Sequence, residues 1–179
     1  AKEFFNKADK KLLEYYNKNP KSVVLAGDVR NISYYKEIAD YKNIFIGQVE
    51  GNYDNTKAQE VVNYAYAVVC KYIVDKQDKA IEDLSRTENE QKLLLDLNDI
   101  YLAAKEGRGS KLFVEKNYIQ PAVIKNNEII LKDNPSGSDI RDDIVNDIIE
   151  LIVNNGGDVL FCDVGKLKNY NKIVLVARY

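Results

Sequence analysis

Apolar positions along this chain alternate between two periods, and the switches outline its elements. From Lys2 to Asn19, Phe4, Phe5, Ala8, Leu12, Leu13, Tyr15 and Tyr16 recur at the spacing of one helical face, and Asn19-Pro20 closes the pattern. Ser22 to Ala26 is an unbroken apolar run rich in β-branched residues and ended by Gly27-Asp28, which predicts a buried strand with a turn at its carboxyl end. Ile32 to Ala39 predicts a short helix and Asn43 to Gly47 a second buried strand, so the two strands are expected to pair in parallel. After a polar loop over 48–55, Thr56 stands three residues before Gln59 as in a capping box. It opens a long helix whose stripe is Ala58, Val61, Val62, Ala65, Val68, Val69, Tyr72 and Ile73.

The stretch Asp75 to Gln91 is charged, lacks Gly and Pro, and holds only Ala80, Ile81 and Leu84 as apolar residues. It reads as a connecting helix with a polar surface and places a domain boundary near 75 to 90, giving domains 1–75 and 76–179. Beyond it, a helix over 98–106 is stopped by Gly107, a strand covers 110–114, and a hairpin between Tyr118 and Leu131 turns at Asn126-Asn127. Ser138 is expected to cap a helix carrying Ile140, Ile144, Val145, Ile148, Leu151 and Ile152, which ends at 154–157. Strands follow at 158–162 and 172–177. The pattern is α/β in both halves.

Composition narrows the chemistry more than the fold. Twenty-six Lys plus Arg against 28 Asp plus Glu leave a net charge of −2, so any nucleic-acid contact must come from a local patch. With no histidine, Ser-His-Asp and Cys-His mechanisms are excluded. Cys70 and Cys162 each sit in an apolar run, which fits buried reduced thiols and a cytoplasmic location. No window reaches the roughly 18 apolar residues of a membrane span, and no membrane partner is expected. Ala1 leads straight into the helical pattern, with neither an initiator Met nor a signal-peptide core. The chain is therefore expected to be a fragment whose first sheet is incomplete.

Several side-chain groups could carry chemistry. Gly107-Arg108-Gly109-Ser110-Lys111 looks like a phosphate loop, but it follows a helix and precedes a strand, the reverse of such loops; a helix stop with positive φ at Gly107 is expected instead. Asp28 and Glu50 are predicted just past the ends of neighbouring parallel strands, where ligands of open α/β sheets bind. With Asp54, which otherwise caps the next helix, they could hold a divalent cation or act as acid and base. Asp139, Asp143, Asp147 and Glu150 predict an acidic stripe opposite the Ile face of their helix, solvated or docking a basic partner. Tyrosines concentrate in the first half, as core or as stacking surfaces for bases.

Read in order, Phe4-Phe5, Val23-Val24-Leu25-Ala26-Gly27, Ile46 to Asn52, Asp99 to Leu112, Asn155-Gly156-Gly157-Asp158-Val159 and Val174 to Tyr179 resemble segments of the eukaryotic and archaeal peptide-release factor and Pelota. Within that group the resemblance points to the bacterial members, the archaeo-eukaryotic release-factor-like proteins. The resemblance implies part of an RNase H-like middle domain, then a C-terminal α/β/α sandwich with the fold of the kink-turn-binding ribosomal proteins. It implies a ribosome-associated factor in termination, rescue or hibernation, reaching the ribosome or its RNA through the full-length protein and a protein partner through the C-terminal domain. No Gly-Gly-Gln occurs here, so no hydrolysis is assigned, no enzyme activity is expected and no cofactor is implied. Asn98-Asp99 loosely keeps the opening of the kink-turn proteins' RNA helix, and Asn98, Lys105, Arg108 and Lys111 are the RNA- or partner-binding candidates. The competing reading is a small metal-dependent enzyme using Asp28, Glu50 and Asp54.

Overall fold

The structure is a computed structural model that describes residues 2–87, 92–137 and 139–179. The chain divides into two compact units, Ala1–Lys76 and Gln77–Tyr179. Among the described residues no helix is long and apolar enough to cross a membrane.

The first unit is built on α1 (Lys2–Lys18), β1 (Val23–Gly27), α2 (Val29–Ile38), β2 (Phe45–Glu50) and the first part of α3 (Ala58–Thr87). β1 and β2 pair in parallel, with Val24 opposite Gly47 and Gly27 opposite Glu50. Their predicted spans shift. The apolar run at 43–47 begins with a 3-10 turn, Lys42–Ile44, which buries Ile44, and the strand then continues through Gln48 and Val49. Glu50 is consequently the last rung of β2 and not a loop residue. α3 starts at Ala58, with the Lys57 carbonyl accepting from the Glu60 and Val61 amides, so neither Thr56 nor Asp54 is its N-cap.

Aromatic rings supply much of the packing in this unit. Phe5 lies 5.6 Å from Tyr34 and 6.0 Å from Tyr35, and Tyr35 is 5.8 Å from Phe45. Tyr35 donates a 2.8 Å hydrogen bond to the buried Asp9 carboxylate. Burial first, and then this carboxylate, hold the Tyr35 phenol well above its ordinary pKa.

The second unit contains the rest of α3, β3 (Leu93–Leu94), α4 (Leu97–Lys105), β4 (Gly109–Glu115), β5 (Ala122–Lys125), β6 (Glu128–Leu131), α5 (Ile144–Asn154), β7 (Asp158–Cys162) and β8 (Ile173–Ala177). Its main sheet has the order β3-β8-β4-β7, with β4 parallel to β7 and antiparallel to β8. Alternation along β4 divides the core in two. Leu112 and Val114 join α4 and α5 through Ile100, Ala104, Ile144, Ile148 and Ile152, whereas Phe113 faces Leu84, Cys162, Leu167 and Val174.

Two expectations for this unit are corrected. The charged stretch after residue 75 is more than a polar connector: Gln77, Ala80, Ile81 and Leu84 recur at i, i+3, i+4 and i+7, and Leu84 is only 2 % exposed. The last helix begins at Ile144, capped by Asp143 accepting from the Val145 amide at 3.0 Å; Ser138, the expected cap, lies outside the described residues. Residues before Asp143 are diverted into a bridge in which Arg141 and Ala122 exchange backbone hydrogen bonds. The acidic stripe is broken accordingly: Asp143 is a cap, Asp147 pairs with Arg141 at 3.7 Å and Glu150 accepts from Asn146.

Candidate functional site

Two regions compete for the role of site. The first is a cleft of about 640 Å³ at the carboxyl ends of β1 and β2, lined by Phe4, Phe5, Asp28, Asn31, Tyr53 and Asp54 among others. Of the three candidate carboxylates, those of Asp28 and Glu50 have local hydrogen-bonding work. Asp28 is the N-cap of α2 and accepts from the Arg30 amide at 2.9 Å; the Asp54 amide donates to the Asn52 side chain at 3.0 Å in a tight turn. Glu50 accepts from Gln48 at 2.6 Å and does not line the cleft. The three do not converge, and among the described residues no group of three or more His, Cys, Asp or Glu could hold a metal ion.

The second region is where the release-factor-like segments of the second unit meet. α4 stops at Gly107, whose φ of 71° is open to glycine at little cost; its amide donates to the Ala104 carbonyl at 3.2 Å and that of Arg108 to Ala103 at 2.9 Å. α5 stops the same way at Gly156, with the Gly157 amide donating to Ile152 at 2.8 Å. Gly109 allows close packing here, because a Cβ would overlap the end of the Ile152 side chain.

The two helix ends are tied together by Asn155, which donates to the Ala104 carbonyl at 3.0 Å, and by Arg178. The Arg178 guanidinium donates to the carbonyls of Gly107 at 3.3 Å and of Asn155 and Gly156 at 3.1 Å each. A cation at the negative ends of two helices, filling carbonyls that the helices leave unpaired, accounts for these segments as architecture.

The four candidate residues are not brought together. Asn98 accepts from the Ile129 amide at 2.9 Å and Lys105 donates to Asn127, so both fasten α4 to the β5–β6 hairpin, whose turn residues Asn126 and Asn127 have φ of 49° and 71°. Arg108 is half-buried and pairs with Glu106 at 2.7 Å. Lys111 sits over the Phe113 ring at 5.2 Å, on the sheet face away from α4. Sequence reading passed over Arg178 and Asn155, although Arg178 lies inside a segment that carried the resemblance; a single terminal arginine gives no periodicity to mark it.

Taken together, the parallel strand pair with its helices, the mixed sheet and the motif junction define a release-factor-like α/β protein. The profile of bacterial archaeo-eukaryotic release factor family 3 matches residues 1–108, and the chain belongs to that family. Among solved structures it is similar to ribosome-bound archaeal Pelota, at 17 % identity over 99 % of this chain and 49 % of that one, with a TM-score of 0.62. Dom34 from S. cerevisiae, a translation termination-like factor that interacts with Hbs1, gives 16 % identity, 97 % and 52 % coverage and a TM-score of 0.58. The C-terminal domain of the Methanosarcina mazei peptide chain release factor gives 15 % identity over 70 % of this chain and 96 % of that domain, with a TM-score of 0.56. The chain thus spans about half the length of Pelota and Dom34. No curated protein matches it in sequence.

Proposed function

We propose that this chain is a non-enzymatic, cytoplasmic part of a ribosome-associated factor acting in termination, ribosome rescue or hibernation. In this reading residues 1–75 are the carboxyl part of an RNase H-like middle domain, and residues 76–179 are a partner-docking domain with the fold of the kink-turn-binding ribosomal proteins. The family match over residues 1–108 carries the proposal. Likeness in fold to Pelota, described as ribosome-bound with ABCE1, and to Dom34 supports it. The metal-enzyme alternative has less support: Asp28 caps α2, Glu50 accepts from Gln48, and among the described residues no group of three or more His, Cys, Asp or Glu could hold a metal ion. Co-sedimentation of the full-length protein with ribosomes tests the reading: it should pellet with ribosomes from lysate and remain in the supernatant without them. Absence from the ribosomal pellet at both low and physiological salt would overturn it.

A further inference from the structure

At the carboxyl ends of β4 and β7 lies a cavity of about 570 Å³ that none of the features above uses, lined in part by Tyr118, Gln120, Val164, Lys168, Asn171 and Lys172. Its wall, the loop over 163–172, is held from beneath. Glu115, the last residue of β4, also lines the cavity but is only 5 % exposed, and one of its carboxylate oxygens is turned to the loop, accepting from the amides of Gly165 at 2.9 Å and Leu167 at 2.8 Å. A buried carboxylate is tolerated when such bonds replace water, and here they fix the loop before any ligand arrives.

The loop also carries strain. Asn171 and Lys172 are consecutive left-handed residues, with φ of 52° and 70°. Asparagine adopts that conformation readily, but lysine does so only under strain, and strain of this kind collects where a side chain must be aimed. The aim is visible, since the Lys172 ammonium stands 5.6 Å from the Tyr118 ring centroid.

Charge decides what the cavity takes. Lys116 and Lys166 are neutralised by Asp163 and Asp78, each at 2.6 Å. Among the described residues Lys168 and Lys172 have no ion-pair partner. Beside these two cations the wall presents Val164 at 73 % exposure, and Ile119, between two lining residues in the chain, is 64 % exposed. A nucleic-acid backbone is gripped by many cations on a polar surface, not by two beside aliphatic side chains.

We propose that this cavity docks a partner-protein segment carrying one or two carboxylates next to a large apolar side chain. Lys168 and Lys172 receive the carboxylates, and Val164 receives the apolar group. The proposal deepens, and rests on, the reading of the second unit as a docking module.

Fluorescence anisotropy with the full chain tests it, using three labelled probes: a short peptide alternating Glu with Leu and Phe, a polyglutamate of equal length, and a uridine oligonucleotide. The alternating peptide should bind best. Lys168→Glu with Lys172→Glu should weaken it by about tenfold or more, and Val164→Ser by about threefold, with circular dichroism unchanged. Tighter binding of the oligonucleotide, equal binding of polyglutamate, or binding of no probe overturns the proposal. Ribosome co-sedimentation of the wild-type protein keeps the two readings apart. Absence of peptide binding by a protein that pellets removes only the cavity, whereas peptide binding by a protein that never pellets removes the ribosomal reading.

Discussion

The two units solve the same α/β problem with different materials. In the second, a four-stranded sheet is covered on both faces, and Ile100, Leu112, Ile144, Ile148, Leu167 and Leu175 are each shielded almost completely. In the first, no residue of β1, β2 or the first part of α3 is buried, and the buried set among the described residues is Asp9, Ile32, Tyr35, Ala39 and Ile44. Burial stabilises roughly in proportion to the apolar area removed from water. The second unit therefore rests on aliphatic packing, and the first leans on an aromatic seam and one buried hydrogen bond.

The sharpest way to break this contrast is to open the aliphatic core. Ile148 is fully buried between α4, α5 and the sheet, so Ile148→Ala should cost about 3 kcal/mol, the usual range for such truncations. Hydrogen exchange should show protection falling across β4, β8 and α5 while α1 and α2 are unaffected. Equal loss in both units would mean that they unfold as one.

In the first unit the corresponding blow is polar. Tyr35→Phe keeps the ring packing and removes the donor to Asp9, whose remaining partner is the Asp40 amide at 3.3 Å. A buried carboxylate robbed of its better donor should destabilise this unit by about 2 kcal/mol, read by denaturant unfolding of the variant. A loss below about 0.5 kcal/mol would show that ring packing alone holds the unit.

Arg178→Met separates architecture from binding at the motif junction. It retains the side-chain stem and removes the bonds to Gly107, Asn155 and Gly156, so the second unit should lose about 1–2 kcal/mol by thermal unfolding. Ribosome association, normalised to folded protein, should be unchanged. A variant of wild-type stability that no longer pelleted would move Arg178 from the scaffold to the interface.

How much of this was legible in the sequence depends on how local the physics was. The Gly107 stop, the Asn126-Asn127 turn and the parallel pair were readable because each is fixed by a few adjacent residues. Helix starts were not. Asp143 and Ser138 are equally good caps by composition, and the bridge between Arg141 and Ala122 decides between them. Leu84 looked isolated because its face is short and its partners, Phe113 and Cys162, are distant in the chain. The candidate site is less local still: Asn98, Lys105, Arg108 and Lys111 have residue types suited to binding, each also has an intramolecular partner, and partnering is a property of the fold alone.

The mildest contrast lies in the two thiols. Cys162 is fully buried on β7, and its pKa is pushed up to about 11 by burial and, after that, by the Glu115 and Asp163 carboxylates; Cys70, on the part of α3 in the first unit, is half-buried. Since thiolate is the nucleophile, iodoacetamide at pH 8 should modify Cys70 first and reach Cys162 only as the second unit opens. The pH dependence has a definite sign. Folding raises this thiol's pKa above its unfolded value of 9.0, so its contribution is fully present below pH 9 and fades as pH rises toward 11, where the unfolded chain has already released the proton. Cys162→Ala should remove that part of the alkaline decline while lowering stability at pH 7 through the lost packing, and a decline of unchanged steepness between pH 9 and 11 would show that other groups set it.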